Sequence, residues 1–177
     1  MKSLRIVLAL ALVSLATAAV AQSDAQQSFD QLKTLAGVWH GTVTATPAQQ
    51  DWNNKSLWVT IRVTSRGNAI VHEIKQPGTP DDTKQDDPIT MIYMDGDHLT
   101  LVHYCDAGNR PHMVAKDSAD AKLVDFNLQD ISGSTQFGNM EHAAFDVIDA
   151  NHHTEDWTFM MPGDKAVRAH LDLQRVK

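Results

Sequence analysis

Beyond Gly37 the chain carries no helical periodicity. Short segments rich in β-branched and aromatic residues alternate with turn-forming residues, and this rhythm restricts the chain to an all-β architecture. Ten segments read as strands: Val38–Thr46, Ser56–Arg66, Ala69–Gln76, Pro88–Met94, His98–Cys105, Arg110–Lys116, Lys122–Gln129, Met140–Ile148, Thr154–Met161 and Ala166–Arg175. Tight turns join many of them, at Arg66-Gly67-Asn68, Asp95-Gly96-Asp97, Asp106-Ala107-Gly108-Asn109, Asp149-Ala150-Asn151 and Pro162-Gly163-Asp164. Each turn supplies Gly, Asn or Asp where a hairpin needs positive φ or a local side-chain bond. Longer connections at Pro47–Lys55, Pro77–Asp87 and Asp130–Asn139 read as mobile rims. A meander of ten strands must close or stack to protect its edges, so the expected fold is a ten-stranded antiparallel up-and-down barrel.

The start of the chain is organised differently. Lys2 and Arg5 form a basic region, Ile6 to Ala19 is apolar, and Ala19-Val20-Ala21 offers a small-residue cleavage site. This pattern reads as a secretory signal peptide over residues 1–21, cleaved after Ala21. Its apolar run falls short of the roughly 20 residues of a membrane span. The expected location is therefore periplasmic or secreted, with no stable membrane anchor after cleavage. Residues 22–27 are polar and read as flexible. Ser28 reads as an N-cap, with Phe29, Leu32 and Leu35 at helical spacing and Gly37 as the stop, which predicts one short helix over 29–36. Residues 28–177 then form a single barrel domain.

The whole chain has a formal net charge of −7. Two of its cations lie in the leader, so the remainder is more acidic still. Nucleic-acid binding requires clustered cations and is not expected. The only cysteine is Cys105, so no internal disulfide can form, and the core must supply the stability.

Strand alternation assigns side chains to the interior. The inward sets are Ile70, His72, Ile74; Leu99, Leu101, His103, Cys105; Val124, Phe126, Leu128; Glu141, Ala143, Phe145, Val147; Glu155, Trp157, Phe159; and Val167, Ala169, Leu171, Leu173. Apolar stripes that carry a few polar groups are the usual make-up of a small-molecule pocket.

Four stretches carry a family resemblance. Phe29 to Gly41, ending Gly37-Val38-Trp39-His40-Gly41, resembles the opening of calycin-type barrels. His103-Tyr104-Cys105-Asp106-Ala107-Gly108-Asn109-Arg110-Pro111 carries an H-Y-C-x-x-G-N-x-P signature. With Met91 to Asp97 and Asp149 to Trp157, it resembles the exported bacterial DUF1579-like family of unassigned function. The resemblance spans most of residues 28–175 and implies a lipocalin-like or nitrobindin-like barrel, with Trp39 at the floor beside the helix. It supplies no reaction. Where the family tends to carry a His-x-His pair, this chain has Asn139 and Glu141, which weakens a metal or haem role resting on that pair.

Several constellations merit a chemical reading. His103 and Cys105 share one strand face. They could pack as satisfied core groups, orient an organic ligand, or contribute to a metal or haem site with His72, Glu141 or Glu155. As neighbours i and i+2 they stand about 7 Å apart along the strand, too far for a direct nucleophile–base pair. Asn109 and Arg110 could line a pocket mouth or simply build the turn before Pro111. His152-His153 reads as a solvated turn, and His40, His98, His112, His142 and His170 as surface or packing residues. No G-x-S-x-G, H-E-x-x-H or phosphate-cradling glycine loop occurs, so enzymatic activity is not expected.

The favoured function is an exported barrel that binds a small, mainly apolar or amphiphilic molecule. Its candidate lining is Trp39, His103, Cys105, Asn109, Arg110, Glu141, Glu155 and Trp157. No cofactor is expected under this reading. The alternatives are a haem- or metal-binding barrel and a solidly packed structural or interaction module.

Overall fold

The computed structural model describes residues 22–50, 52–75 and 87–177. The signal-peptide reading of residues 1–21 and most of the Pro77–Asp87 connection lie outside the described residues. Helix α1 spans Asp24–Lys33, and ten strands follow: β1 Gly37–Thr46, β2 Lys55–Thr64, β3 Ala69–Lys75, β4 Ile89–Asp95, β5 His98–Tyr104, β6 Asn109–Ala115, β7 Leu123–Gly133, β8 Asn139–Asp149, β9 His152–Met161 and β10 Lys165–Arg175. Each strand pairs antiparallel with its sequence neighbours, and β10 pairs with β1 to close the barrel. Closure removes both edges, which is what the meander required.

The helix begins earlier than the sequence suggests. Its N-cap is Ser23, whose hydroxyl accepts from the Gln26 amide at 3.2 Å, and Ser28 is buried within the helix. Residues 24–27, expected to be flexible, form its first turn. Ala25, Phe29 and Leu32 lie one helical turn apart and are buried against the barrel end, where the helix meets β4 and β5. Burying Phe29, Leu32 and Leu35 contributes about 1.5–3 kcal/mol each.

The helix C-terminus leaves carbonyls that need donors. Trp39 Nε1 donates to Leu35 O at 2.8 Å. Arg175 Nη1 and Nη2 donate to Ala36 O at 2.7 Å and Thr34 O at 2.9 Å, while its Nε reaches Ala150 O at 2.7 Å. The guanidinium also lies 4.2 Å from the Trp39 ring centre. A β-carbon at Gly37, where φ is +148°, would lie 2.6 Å from Arg175 Nη1; one at Gly41 would lie 1.8 Å from Asp172 O. The Gly-x-Trp-x-Gly opening therefore makes room for the last strand and its arginine. Trp39 is fully buried in this plug, at the closed end of the barrel.

Two strands depart from the sequence reading. The β8–β9 pairing shifts between Met140 and His142, a bulge that takes Glu141 out of the ladder. Met140 packs against the core instead. Strand β7 runs on to Gly133, so the Asp130–Asn139 connection is shorter than expected.

Replacing Arg175 with Met keeps an apolar stem over Trp39 but removes the donors to three carbonyls. The expected cost is about 1–3 kcal/mol in urea unfolding. An unchanged midpoint would show that the latch is dispensable.

Candidate functional site

The inner face of β9 reads upward from the closed end as His153, Glu155, Trp157, Phe159. His153 rests edge-on against Trp39, with ring centres 4.2 Å apart. Glu155 is fully buried and is reached by three N–H groups. His72 Nε2 lies 3.0 Å from both carboxylate oxygens, His153 Nε2 lies 3.0 Å from Oε1, and Trp157 Nε1 donates to Oε2 at 2.9 Å. His72 comes from β3, which is not a hydrogen-bonded neighbour of β9. The contact therefore ties two walls of the barrel through its interior.

A carboxylate accepts only, so both imidazoles carry hydrogen on Nε2. Burial alone would raise the Glu155 pKa. The electrostatic interaction with His72 and the hydrogen bonds from His153 and His72 outweigh it and hold the carboxyl below the usual range, so it is ionised. The Nδ1 atoms of His72 and His153 are buried without a hydrogen-bond partner among the described residues.

A second polar row crosses the adjoining wall. His72, Thr90 and His103 are cross-strand partners on β3, β4 and β5, which puts them on one inner face. Thr90 Oγ1 lies 2.9 Å from His103 Nδ1. Burial, helped by His72, lowers the His103 pKa from 6.5 to about 4, so the ring is neutral at pH 7. The His103 and Trp157 rings sit 5.4 Å apart.

Above these two rings the interior opens into a cavity of about 490 Å³. His103 and Trp157 are among its lining residues; its walls include Ile74, Met140, Phe159 and Leu171, and Gln49, Gln50 and Trp52 stand on the β1–β2 connection. Cys105 also lines it, half-buried, with burial pushing its thiol pKa up, so the sulfur is protonated at neutral pH.

The structure thus brings His103, Cys105 and Trp157 to one cavity and distributes the other expected lining residues elsewhere. Trp39 belongs to the closed-end plug. Glu155 lies beneath the cavity and does not line it. Glu141 is displaced by the bulge and lines neither this cavity nor the outer groove. Asn109 and Arg110 line a groove of about 850 Å³ with Tyr104 and Glu73, which shares Cys105 and Asp106 with the cavity. Asn109 is buried and clamps the β7–β8 connection, its Nδ2 donating to Ser134 O at 2.8 Å and Gly138 O at 2.7 Å. Arg110 Nε bonds Ser132 Oγ at 3.1 Å.

Sequence reasoning missed His153 and Thr90. His153 was expected in a solvated turn, but β9 starts at His152 and the alternation carries His153 inward. Beginning the inward set of Glu155, Trp157 and Phe159 two residues earlier would have found it. Thr90 follows from the alternation of β4 with Ile92. On the outside, His112, His142, His152 and His170 pair with Asp130, Asp125, Asp172 and Asp156 at 2.8–3.1 Å. Among the described residues no group of three or more His, Cys, Asp or Glu is arranged to hold a metal ion.

Substituting Glu155 with Gln puts an amide NH₂ where N–H donors converge. The expected loss is about 3–5 kcal/mol of unfolding free energy, with a change in Trp157 emission. A loss below about 1 kcal/mol would refute the central role of the carboxylate. The pH response has two windows. Unfolding takes up a proton at His103 between pH 6.5 and about 4, so stability falls as pH drops through that range. The stabilisation from Glu155 is full above its unfolded pKa near 4.5 and declines below it. Thermal midpoints across pH should show a shallower decline between pH 6.5 and about 4.5 in His103→Leu than in the wild type.

The sequence matches no protein-family profile and no curated protein. The fold is similar to that of solved structures. Rv2717c from M. tuberculosis superposes with a TM-score of 0.57 at 13% identity, over 85% of this chain and 98% of that one. A protein of unknown function from the DUF3598 family of Nostoc punctiforme superposes with a TM-score of 0.53 at 11% identity, over 82% of this chain and 49% of that one. The chain thus spans about half the length of the Nostoc protein. At these identities the likeness establishes the barrel fold.

Proposed function

We propose that this protein is an exported barrel that binds a small, mainly apolar molecule in its open-ended cavity. The observation that carries this reading is the division of the interior. Below Trp157 the barrel is filled by interlocking side chains, and above it a cavity of about 490 Å³ is walled mainly by apolar groups. That volume falls in the range of small-molecule sites. A solidly packed module would have no such division. Export is supported by the basic start, apolar run and Ala-x-Ala site of residues 1–21. Membership of the DUF1579-like family is supported by the His103 to Pro111 string, which forms the end of β5, its turn and the start of β6.

A haem reading has one supporting observation. His103 is a neutral imidazole that lines an apolar cavity, and it could serve as an axial ligand if Nδ1–H donates to Thr90, which leaves the Nε2 lone pair free. Titration with haemin distinguishes this reading, since it requires a Soret band that is lost in His103→Leu.

The main reading is tested with N-phenyl-1-naphthylamine, an uncharged apolar fluorophore. Binding should saturate at one site per chain. Ala169→Phe fills the cavity and should weaken binding about tenfold or more, while the far-ultraviolet circular dichroism stays unchanged. No saturable binding of this probe, or equal binding by Ala169→Phe, would overturn the proposal.

A further inference from the structure

The cavity floor is unequal in what it can offer a polar group. Among the described residues the lining contains no Lys or Arg, and its one charged member is acidic, Asp106. Three N–H groups cluster just beneath the floor, but all three point at Glu155. The Trp157 indole N–H, the one of these three that a lining residue carries, is therefore already committed. Thr90 occupies His103 Nδ1 at 2.9 Å. At the floor there remains His103 Nε2, for which no hydrogen-bond partner occurs among the described residues; the other polar lining groups, on Gln49, Gln50, Trp52, Cys105 and Asp106, stand on the β1–β2 and β5–β6 connections.

A buried carboxylate needs several donors or a cation to offset its lost hydration. This floor has one free position, and an ionised carboxylate already lies behind it. At the floor a protonated amine would bring three N–H donors to a single acceptor and is poorly served there, since Asp106 stands in the β5–β6 turn and not beside His103 Nε2. A hydroxyl is different, because it both donates and accepts, and one hydrogen bond to a neutral imidazole satisfies most of its need. The neutral state is the one this burial maintains at pH 7.

Resting on the cavity reading above, we propose that the ligand is an uncharged, hydroxyl-bearing amphiphile whose hydroxyl bonds His103 Nε2 and whose apolar body fills the space between Trp157 and the mouth. Thr90 is a positioning residue, since it fixes the imidazole through Nδ1. An amphiphile inserted tail-first would leave Nε2 facing hydrocarbon without a partner, which disfavours that orientation.

The test displaces N-phenyl-1-naphthylamine with 1-decanol and with decanoate at pH 7.5, using the wild type, His103→Leu, His103→Gln and Thr90→Val. A preference for the alcohol alone would follow from any apolar cavity, so the deciding readout is its dependence on His103. In His103→Leu, decanol should bind about five- to tenfold more weakly relative to the fluorophore and to decanoate measured on the same variant. His103→Gln restores a donor and an acceptor and should recover part of the loss. Thr90→Val leaves the imidazole in place but unoriented and should weaken decanol by a smaller factor; it carries the test should His103→Leu fail to fold. The inference is overturned if decanoate binds as tightly as decanol, or if decanol is indifferent to His103→Leu, or to Thr90→Val where that variant carries the test. Failure of the fluorophore itself to bind would instead remove the cavity reading beneath it.

Discussion

The contact between Glu155 and its three N–H partners organises the interior. Removing an ionised carboxylate from water is expensive, and a well-packed apolar replacement would serve stability as well or better. What the carboxylate contributes is geometry. It fixes the indole of Trp157 by its N–H, draws His72 across the barrel from β3, and seats His153 against Trp39. One group thereby links the helix-plugged end to the base of the cavity. The aromatic packing follows from it: Phe145 meets His72 and Trp157 edge-on, and Phe126 meets Phe145.

The two ends of the barrel are built from different materials. At the closed end, Trp39 and Arg175 supply donors to the carbonyls at the end of α1, and large side chains fill the space. Toward the open end the wall becomes small. Ala45 on β1 and Ala169 on β10 are direct cross-strand partners, and both line the cavity. Two methyl groups stand where one strand register lower Val43 and Leu171 fill the interior. At these positions the wall offers only methyl groups to the space above Trp157, whose indole is held from below by Glu155.

Much of this architecture was legible in the sequence because a strand's period of two is unforgiving. The inward sets on β3, β5, β9 and β10 follow directly from alternation, including His72, His103, Glu155 and Trp157. The failures have local causes. Ser28 satisfied the pattern of an N-cap, but Ser23 holds that position and the helix runs one turn further back. Glu141 should face inward by parity, and a single bulge removes it from the ladder and gives the space to Met140. Asn109 lies in a string suited to a turn or a rim, and nothing in its spacing reveals that its amide closes a distant connection. Alternation also gives direction without volume, so the cavity could not be read from the chain.

Polar residues inside this barrel therefore perform two separate tasks. The Glu155 cluster is the richest in chemistry, yet every member except Trp157 is sealed from the cavity. Its hydrogen-bonding capacity is turned on itself, so it acts on the cavity only by holding Trp157. His103 is the reverse case: Nδ1 is spent on Thr90, the ring lines the cavity, and no partner for Nε2 occurs among the described residues. A buried imidazole can recognise a ligand only if its ring is held and one nitrogen is unspent. Of the three buried histidines His72, His103 and His153, His103 meets both conditions. His72 and His153 spend Nε2 on Glu155 and keep Nδ1 buried among packed side chains. The same residue type thus serves architecture at two positions and an accessible surface at the third, and the difference lies in which neighbour each ring nitrogen meets.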